Sequence, residues 1–177
     1  MYQSSLRVKD MTYIALMAVL ITVCSWISIP APVPFSLQTF AVFFALLALG
    51  GRRGMLSVCV YLVMGAMGLP VFTGFQGGLG VLAGPTGGYI LGFVMMAVIY
   101  RLLAEKGGEK RSLAALVLGL AVCYGFGACW YVGGFADINF TTLNAALALS
   151  VYPFILPDLG KLALAVYLAR RLKKHME

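Results

Sequence analysis

Charged residues are scarce in this chain. Asp, Glu, Lys and Arg make up 11% of its 177 residues, and hydrophobic residues make up 62%. A soluble domain is usually about a quarter charged, so too few side chains are available here to face water. The composition predicts an integral membrane protein. No polar linker divides it, so residues 1–177 are interpreted as a single membrane domain.

Motifs that support catalysis are also missing. The one histidine, His175, follows a basic run near the end of the chain, and neither HExxH nor GxSxG occurs. The four cysteines lack metal-ligand spacing, and no GxxxxGK[ST] loop is present to bind ATP phosphates. We therefore predict no catalytic residue, no metal and no cofactor, and an intramembrane enzyme is a disfavoured alternative.

Three uncharged runs predict the membrane spans. They cover residues 11–51, 54–100 and 112–136, and contain 41, 47 and 25 residues. A spanning helix needs about 20 apolar residues, so each of the first two runs can hold two helices. The prolines of IPAPVP (29–34) and a glycine-rich segment divide these runs. The predicted helices lie near 11–29, 37–50, 54–69, 86–103, 112–131 and 142–171, the last being one kinked helix or two because of Pro153 and Pro157.

The basic residues predict the orientation of these spans. In a six-span arrangement with both termini inside, twelve of the thirteen Lys and Arg residues fall on the cytoplasmic side. Positive residues prefer that side of a membrane. The net charge of +7 therefore reflects topology and contact with lipid rather than nucleic-acid binding. The predicted fold class is an all-α bundle of six transmembrane helices with cytoplasmic termini, in the cell membrane.

The thirteenth basic residue, Lys161, lies inside the last apolar region, three residues after Asp158. An ionisable side chain at the centre of a spanning helix costs about 2.5–3.5 kcal/mol on insertion scales. The i, i+3 spacing places both side chains on one helix face. They could simply cap the helix and neutralise each other, or they could face a binding pocket. Asp158 is roughly 18 Å along the helix from Arg170, which favours a pocket in the outer half of the bilayer.

The glycine-rich segment, residues 72–89, reads FTGFQGGLGVLAGPTGGY. Seven of its eighteen residues are glycine and none is charged. Non-helical backbone at membrane depth is tolerated only where protein or a cavity surrounds it. The segment could be a flexible hairpin between spans, or a lid over a pocket. Phe75, Gln76, Thr86 and Tyr89 give it aromatic faces and hydrogen-bonding groups, which favours the lid.

Four blocks of this sequence form a recognisable pattern: IPAPVPFSLQTF (29–40), FTGFQGG (72–78), GPTGGYILGF (84–93) and PDLGK (157–161). The pattern resembles that of the BioY family, the biotin-specific S-components of energy-coupling factor transporters. The resemblance implies a six-helix membrane protein that captures biotin from outside the cell. It also implies a transmembrane T-component and two ABC-type ATPases as partners, which agrees with the missing ATP-binding loop.

The resemblance implies specific site residues. Asp158 and Lys161 match the acidic and basic pair of the family's binding site, and Asp158 suits the ureido N–H groups of biotin. Lys161 could serve the ureido carbonyl, the biotin carboxylate or Asp158 itself. Gln76, Thr86, Tyr89 and Tyr152 are predicted walls, although Tyr152, like the two tryptophans, also fits a membrane-interface belt. A binder of another small metabolite remains the alternative function.

A docking surface for the T-component is expected on the first helix. S-components typically carry an AxxxA pattern there, whereas this sequence has Ala15 and Val19 at the corresponding positions. Small residues spaced by four also occur at Ala18 and Thr22, and such spacing allows helices to approach closely. These four residues are predicted to dock the partner, with packing inside the same chain as the alternative.

Overall fold

The computed structural model describes residues 7–29, 35–104, 107–135 and 151–176. Its helices are α1 (Val8–Trp26), α2 (Gln38–Ala66), α3 (Leu79–Ala83), α4 (Gly87–Ala104), α5 (Glu109–Phe135) and α6 (Tyr152–Met176). Two short strands, β1 (Ser28–Ile29) and β2 (Phe35–Ser36), pair antiparallel. The fold is mostly helical, as predicted, but this two-stranded hairpin corrects the expectation of a purely α-helical chain.

Five helices in the described ranges are long and apolar enough to cross a membrane, whereas the sequence predicted six spans. The difference lies in α2, which covers the two helices predicted near 37–50 and 54–69. At the other end of the chain, α6 continues through Pro157 as one helix. Pro153 lies in its first turn, where a missing N–H is tolerated. Residues 142–150 of the predicted last region lie outside the described residues.

Gly50 divides α2 into two helical parts. Its φ of 81° and ψ of 174° are not helical, and glycine adopts positive φ without steric cost. A Cβ built on Gly54 would lie 2.8 Å from the Cα of Leu46. Residues eight apart in a straight helix are separated by roughly 12 Å along its axis. The parts 38–49 and 51–66 therefore fold back against each other.

Helices α4 and α5 pack through glycines spaced four residues apart. Gly88 and Gly92 of α4 face Gly127 and Cys123 of α5. A Cβ built on Gly92 would lie 2.7 Å from Cys123 Sγ and 3.0 Å from its Cα. Close approach through small residues is the usual device of membrane helices, which have no hydrophobic drive to associate in lipid. The approach presses the Tyr89 ring onto Gly127.

Ion pairs hold the helix ends together at one end of the bundle. Arg53 Nη2 on α2 lies 3.1 Å from Asp10 Oδ1 on α1, and Arg170 on α6 pairs with Glu109 on α5. Gly51 packs directly on Arg101 at the end of α4. The arginines of both pairs are exposed, so each pair adds little to stability, about 1 kcal/mol at most. The pairs are informative mainly about how the helices are placed. They place the basic ends of five helices on one side of the molecule.

Candidate binding site

A cavity of about 340 Å³ lies at the end of the bundle opposite to these ion pairs. Pockets for small molecules usually range from about 300 to 1,000 Å³, so this one fits a small metabolite. It is enclosed by β1, β2, the first turns of α2, α4 and α6, the middle of α5, and the glycine-rich segment. Its neutral polar lining includes Ser36, Gln38, Gln76, Thr86, Tyr89 and Tyr124. Its other walls are mostly aromatic and aliphatic.

A buried ion pair forms the charged part of the cavity wall. Lys161 Nζ donates to Asp158 Oδ1 at 2.7 Å, and the two side chains are only 7% and 3% exposed. The hydroxyl of Tyr124 on α5 donates to the other carboxylate oxygen, Oδ2, at 2.5 Å. A carboxylate has about four acceptor positions. Two are used by these contacts, so Asp158 retains capacity for donors of a ligand.

Lys161 also connects α6 to the β hairpin. Its Nζ donates to the backbone carbonyl of Ser36 at 2.7 Å and lies 3.9 Å from the centre of the Phe35 ring. A cation over an aromatic face is attracted by the quadrupole of the ring, more strongly where water is excluded. Two of the three N–H donors of Lys161 are therefore used by Ser36 and Asp158, and the lysine fixes β2 beside the carboxylate.

The first half of the glycine-rich segment folds into a tight loop. Phe72 donates from its backbone N–H to the carbonyl of Gln76 at 2.9 Å, and Gly74 and Phe75 have φ of 72° and 59°. Positive φ is uncommon for a bulky side chain and indicates a backbone held by its surroundings. Phe75 stacks on Trp26 at 4.9 Å between ring centres. This turn places Gln76 on the cavity and Phe75 outside it.

The second half leads directly into α4. The carbonyl of Gly84 accepts a hydrogen bond of 3.1 Å from Trp130 Nε1 on α5. A Cβ built on Gly87 would lie 1.8 Å from the carbonyl oxygen of Leu82, so only glycine fits there. Trp26 makes a similar contact just before the segment, donating from Nε1 to the carbonyl of Pro70 at 2.9 Å. Both tryptophans therefore shape the segment, beyond the belt role considered for them.

Comparison with known proteins identifies the family. The BioY family model matches residues 1–177. The chain belongs to the BioY family. This match confirms the resemblance of the four sequence blocks to that family.

Two relatives and one solved structure align with most of this chain. The chain is 48% identical over 159 residues to a biotin transporter BioY of Thermotoga maritima. The alignment covers 88% of this chain and 90% of the relative. A probable biotin transporter BioY of Pyrococcus horikoshii is 41% identical, in an alignment that covers 95% of this chain and 98% of that relative. The crystal structure of the S-component for biotin from an ECF-type ABC transporter superposes on this chain with a TM-score of 0.82 and 30% sequence identity. The superposition covers 94% of this chain and 92% of that structure.

The predicted site residues divide into two groups in the structure. Asp158, Lys161, Gln76, Thr86 and Tyr89 all line the cavity. Phe75 and Tyr152 do not line it. They are 64% and 60% exposed, because the turn at Gly74 directs Phe75 onto Trp26 and Tyr152 begins α6. A role for these two residues in binding stays a prediction that the geometry of this cavity does not favour.

The predicted docking residues on α1 differ in their exposure. Ala15 and Val19 are exposed. Ala18 and Thr22 are buried inside the chain, and the Thr22 hydroxyl donates to the carbonyl of Ala18 at 3.0 Å. The two pairs lie on adjoining parts of the helix surface and differ in exposure. A docking role for Ala18 and Thr22 stays a prediction that their burial within the chain does not favour.

Several cavity residues were not among the predicted ones. Gln38 occurs in the sequence analysis only within the block IPAPVPFSLQTF, with no role given to it, and Tyr124 was not singled out. Gln38 lies in the SLQT sequence after the prolines, where a polar residue inside a long uncharged run is a usable signal. Tyr124 gives no comparable signal, because the same run contains several other aromatic residues.

Proposed function

We propose that this chain is the substrate-binding membrane component of a biotin uptake transporter. It binds biotin from the extracellular side, and import is driven by a separate T-component and two ABC-type ATPases. The observation that carries the proposal is the Asp158–Lys161 pair in the wall of a 340 Å³ cavity inside a strongly apolar bundle. The two relatives, a biotin transporter and a probable biotin transporter, support the same ligand.

The lining of the cavity suits the chemistry of biotin. The ureido ring offers two N–H donors and one carbonyl acceptor, and Asp158 is a charged acceptor beside a donor, Lys161. Phe93, Phe154 and Ile90 supply apolar surface for the bicyclic ring and the alkyl chain. A buried ion pair often adds nothing to the stability of a fold, because well-packed apolar side chains of similar volume are often at least as stabilising in its place. Its presence here is better explained by a ligand that needs both charges.

The proposal includes six membrane crossings with both termini in the cytoplasm. The two parts of α2, residues 38–49 and 51–66, form two of these crossings and turn at Gly50. Twelve helical residues extend only about 18 Å, less than the roughly 30 Å hydrocarbon core. Ser36 therefore lies at membrane depth, where non-helical backbone is tolerated beside a cavity. The basic end faces the cytoplasm, and the cavity opens on the other side.

Docking of the T-component is assigned to the exposed face of α1. Ala15 and Val19 lie on this face, and the small side chain of Ala15 allows another helix to approach closely. The two buried small residues of α1 are excluded from this surface. The ATPase subunits supply the ATP-binding loops, which this sequence does not contain.

Membrane vesicles of defined sidedness test this function. Right-side-out vesicles carrying this chain alone should bind external radiolabelled biotin without ATP. Vesicles that also carry the T-component and both ATPase subunits should accumulate biotin when ATP is enclosed. Vesicles without this chain, and complexes with inactive ATPase subunits, are the controls. Accumulation that requires neither ATPase subunit would contradict the proposed division of labour, and binding only in inside-out vesicles would contradict the orientation.

A further inference from the structure

The exposed face of α6 changes from apolar to basic along one line. Leu164, Tyr167 and Leu168 are exposed in the second half of this helix, and Arg171 follows them with the same spacing and is also exposed. Residues three, four and seven apart share a helix face, so Arg171 ends an apolar stripe that faces lipid. Its guanidinium carbon lies 5.3 Å from the centre of the Tyr167 ring. A tyrosine beside a cation at the end of a span is typical of the headgroup level of a membrane.

The exposed face of α5 shows the same pattern in the opposite chain direction. Lys110 and Arg111 lie in its first turn, and the exposed residues Ala114 and Leu118 follow on the same face. The stem of Arg111 lies over Gly107, in the connection that precedes the helix, because a Cβ built on this glycine would be 2.3 Å from Arg111 Cδ. The arginine therefore extends beyond the end of the apolar stripe, toward the headgroup level.

One ion pair brings these two basic ends together. Arg170 of α6 pairs with Glu109 of α5. Lys110 and Arg111 follow Glu109 directly, and Arg171 follows Arg170, so the three cations form one surface, which we call the basic cluster. It is separate from the exposed face of α1 that is assigned to the T-component, because α5 packs on α4 whereas α1 packs on α2.

The basic cluster carries positive charge that the described part of the chain does not neutralise. The described ranges contain three acidic side chains, Asp10, Glu109 and Asp158, and each is paired with a cation outside the cluster. Lys110 and Arg111 also lie near the N-terminus of α5, where the positive end of the helix dipole disfavours cations. Cations at an unfavourable helix end, next to lipid-facing surface, indicate an anion supplied from outside the chain.

We infer that Lys110, Arg111 and Arg171 bind the phosphate groups of anionic phospholipids in the cytoplasmic leaflet, and so anchor the α5–α6 side of the bundle. Such a leaflet has a negative surface potential, which favours binding by about fivefold for each Lys or Arg near it. Lipid is the occupant that fits, because the cluster borders the exposed leucines Leu118 and Leu168, which lie in the hydrocarbon region. The inference goes beyond the proposed function and takes from it only the orientation of the basic end.

Binding of phosphatidylglycerol to the purified chain in detergent tests the basic cluster, measured by native mass spectrometry with an equal amount of phosphatidylcholine present. Wild-type protein should retain phosphatidylglycerol in preference. Lys110→Gln, Arg111→Gln and Arg171→Gln should each weaken this binding about fivefold. Arg53→Gln is the matched control, because it removes one cation from the same end of the bundle, but a cation that is already paired with Asp10. It should weaken the binding by no more than about twofold.

The outcomes distinguish lipid from other anions. Equal retention of both lipids by wild-type protein would overturn the inference, and so would equal weakening by Arg53→Gln and Arg171→Gln, since net charge alone would then explain the binding. Inorganic phosphate at millimolar concentration should not displace the lipid, and displacement would assign the cluster to free phosphate. Variants that keep the lipid preference but no longer assemble with the T-component and the ATPase subunits would assign it to a protein partner. Biotin binding should be unchanged in all four variants, so its failure in wild-type protein would overturn only the proposed function.

Discussion

Asp158→Asn is expected to lower the affinity for biotin by about two orders of magnitude, measured by equilibrium binding of radiolabelled biotin in detergent. A hydrogen bond to a charged group contributes roughly 1.5–3 kcal/mol, which corresponds to about 10- to 150-fold in affinity. The substitution also leaves Lys161 buried without its carboxylate partner, only 2.7 Å away in the wild-type chain. Undiminished affinity would remove Asp158 from the site.

A double variant separates recognition from stability. Breaking a buried ion pair by removing one partner typically costs about 3–5 kcal/mol, so Asp158→Asn is expected to melt at a lower temperature. Asp158→Asn combined with Lys161→Met removes both charges and should recover much of this loss. Biotin binding should not recover with it. Recovery of affinity in the double variant would show that Asp158 only balances the charge of Lys161.

Gly92→Val is expected to destabilise the bundle more than any substitution on its exposed faces. A Cβ at this position would lie 2.7 Å from Cys123 Sγ and 3.0 Å from Cys123 Cα, so α4 and α5 must separate to admit it. Overpacking costs about 1–3 kcal/mol or more. For a chain of this size, each kcal/mol corresponds to about 2–4 °C in melting temperature. A decrease on the order of 10 °C is therefore expected, measured by thermal unfolding in detergent.

The matched control lies on the neighbouring helix. Gly125 of α5 is exposed, and an added Cβ there would have nothing within 4 Å. Gly125→Val should therefore change the melting temperature by no more than a few degrees. Biotin binding should fall only in Gly92→Val, because α5 carries Tyr124, the hydrogen-bond partner of Asp158. Equal melting temperatures for the two variants would contradict the close packing of α4 on α5.

The features that the sequence predicts well are those with a local physical cause. The uncharged runs predict the spans, and the turn within 37–69 was expected where Gly50 breaks α2. Asp158 and Lys161 stand out because an ionisable group inside an apolar helix needs a specific reason. The glycine-rich segment stands out because non-helical backbone in a membrane protein must be surrounded by protein or a cavity.

The features that the sequence does not predict depend on how the helices are rotated and folded together. Tyr124 reaches Asp158 only because the glycines of α4 and α5 set the rotation of α5. Gln38 meets Tyr61, 23 residues later, only because the chain reverses at Gly50. Phe75 and Gln76 are adjacent in the sequence, and both were predicted to contribute to the lid over the pocket. The positive φ of Phe75 places them on opposite sides of the loop.

Equilibrium binding of radiolabelled biotin to the purified chain in detergent tests the central claim most directly, with thiamine and riboflavin as competitors. We predict saturable binding, one biotin per chain, that unlabelled biotin displaces and the other two vitamins do not. Absence of saturable binding by a demonstrably folded sample, or displacement by thiamine or riboflavin as effective as that by biotin, would contradict the assignment of this cavity to biotin.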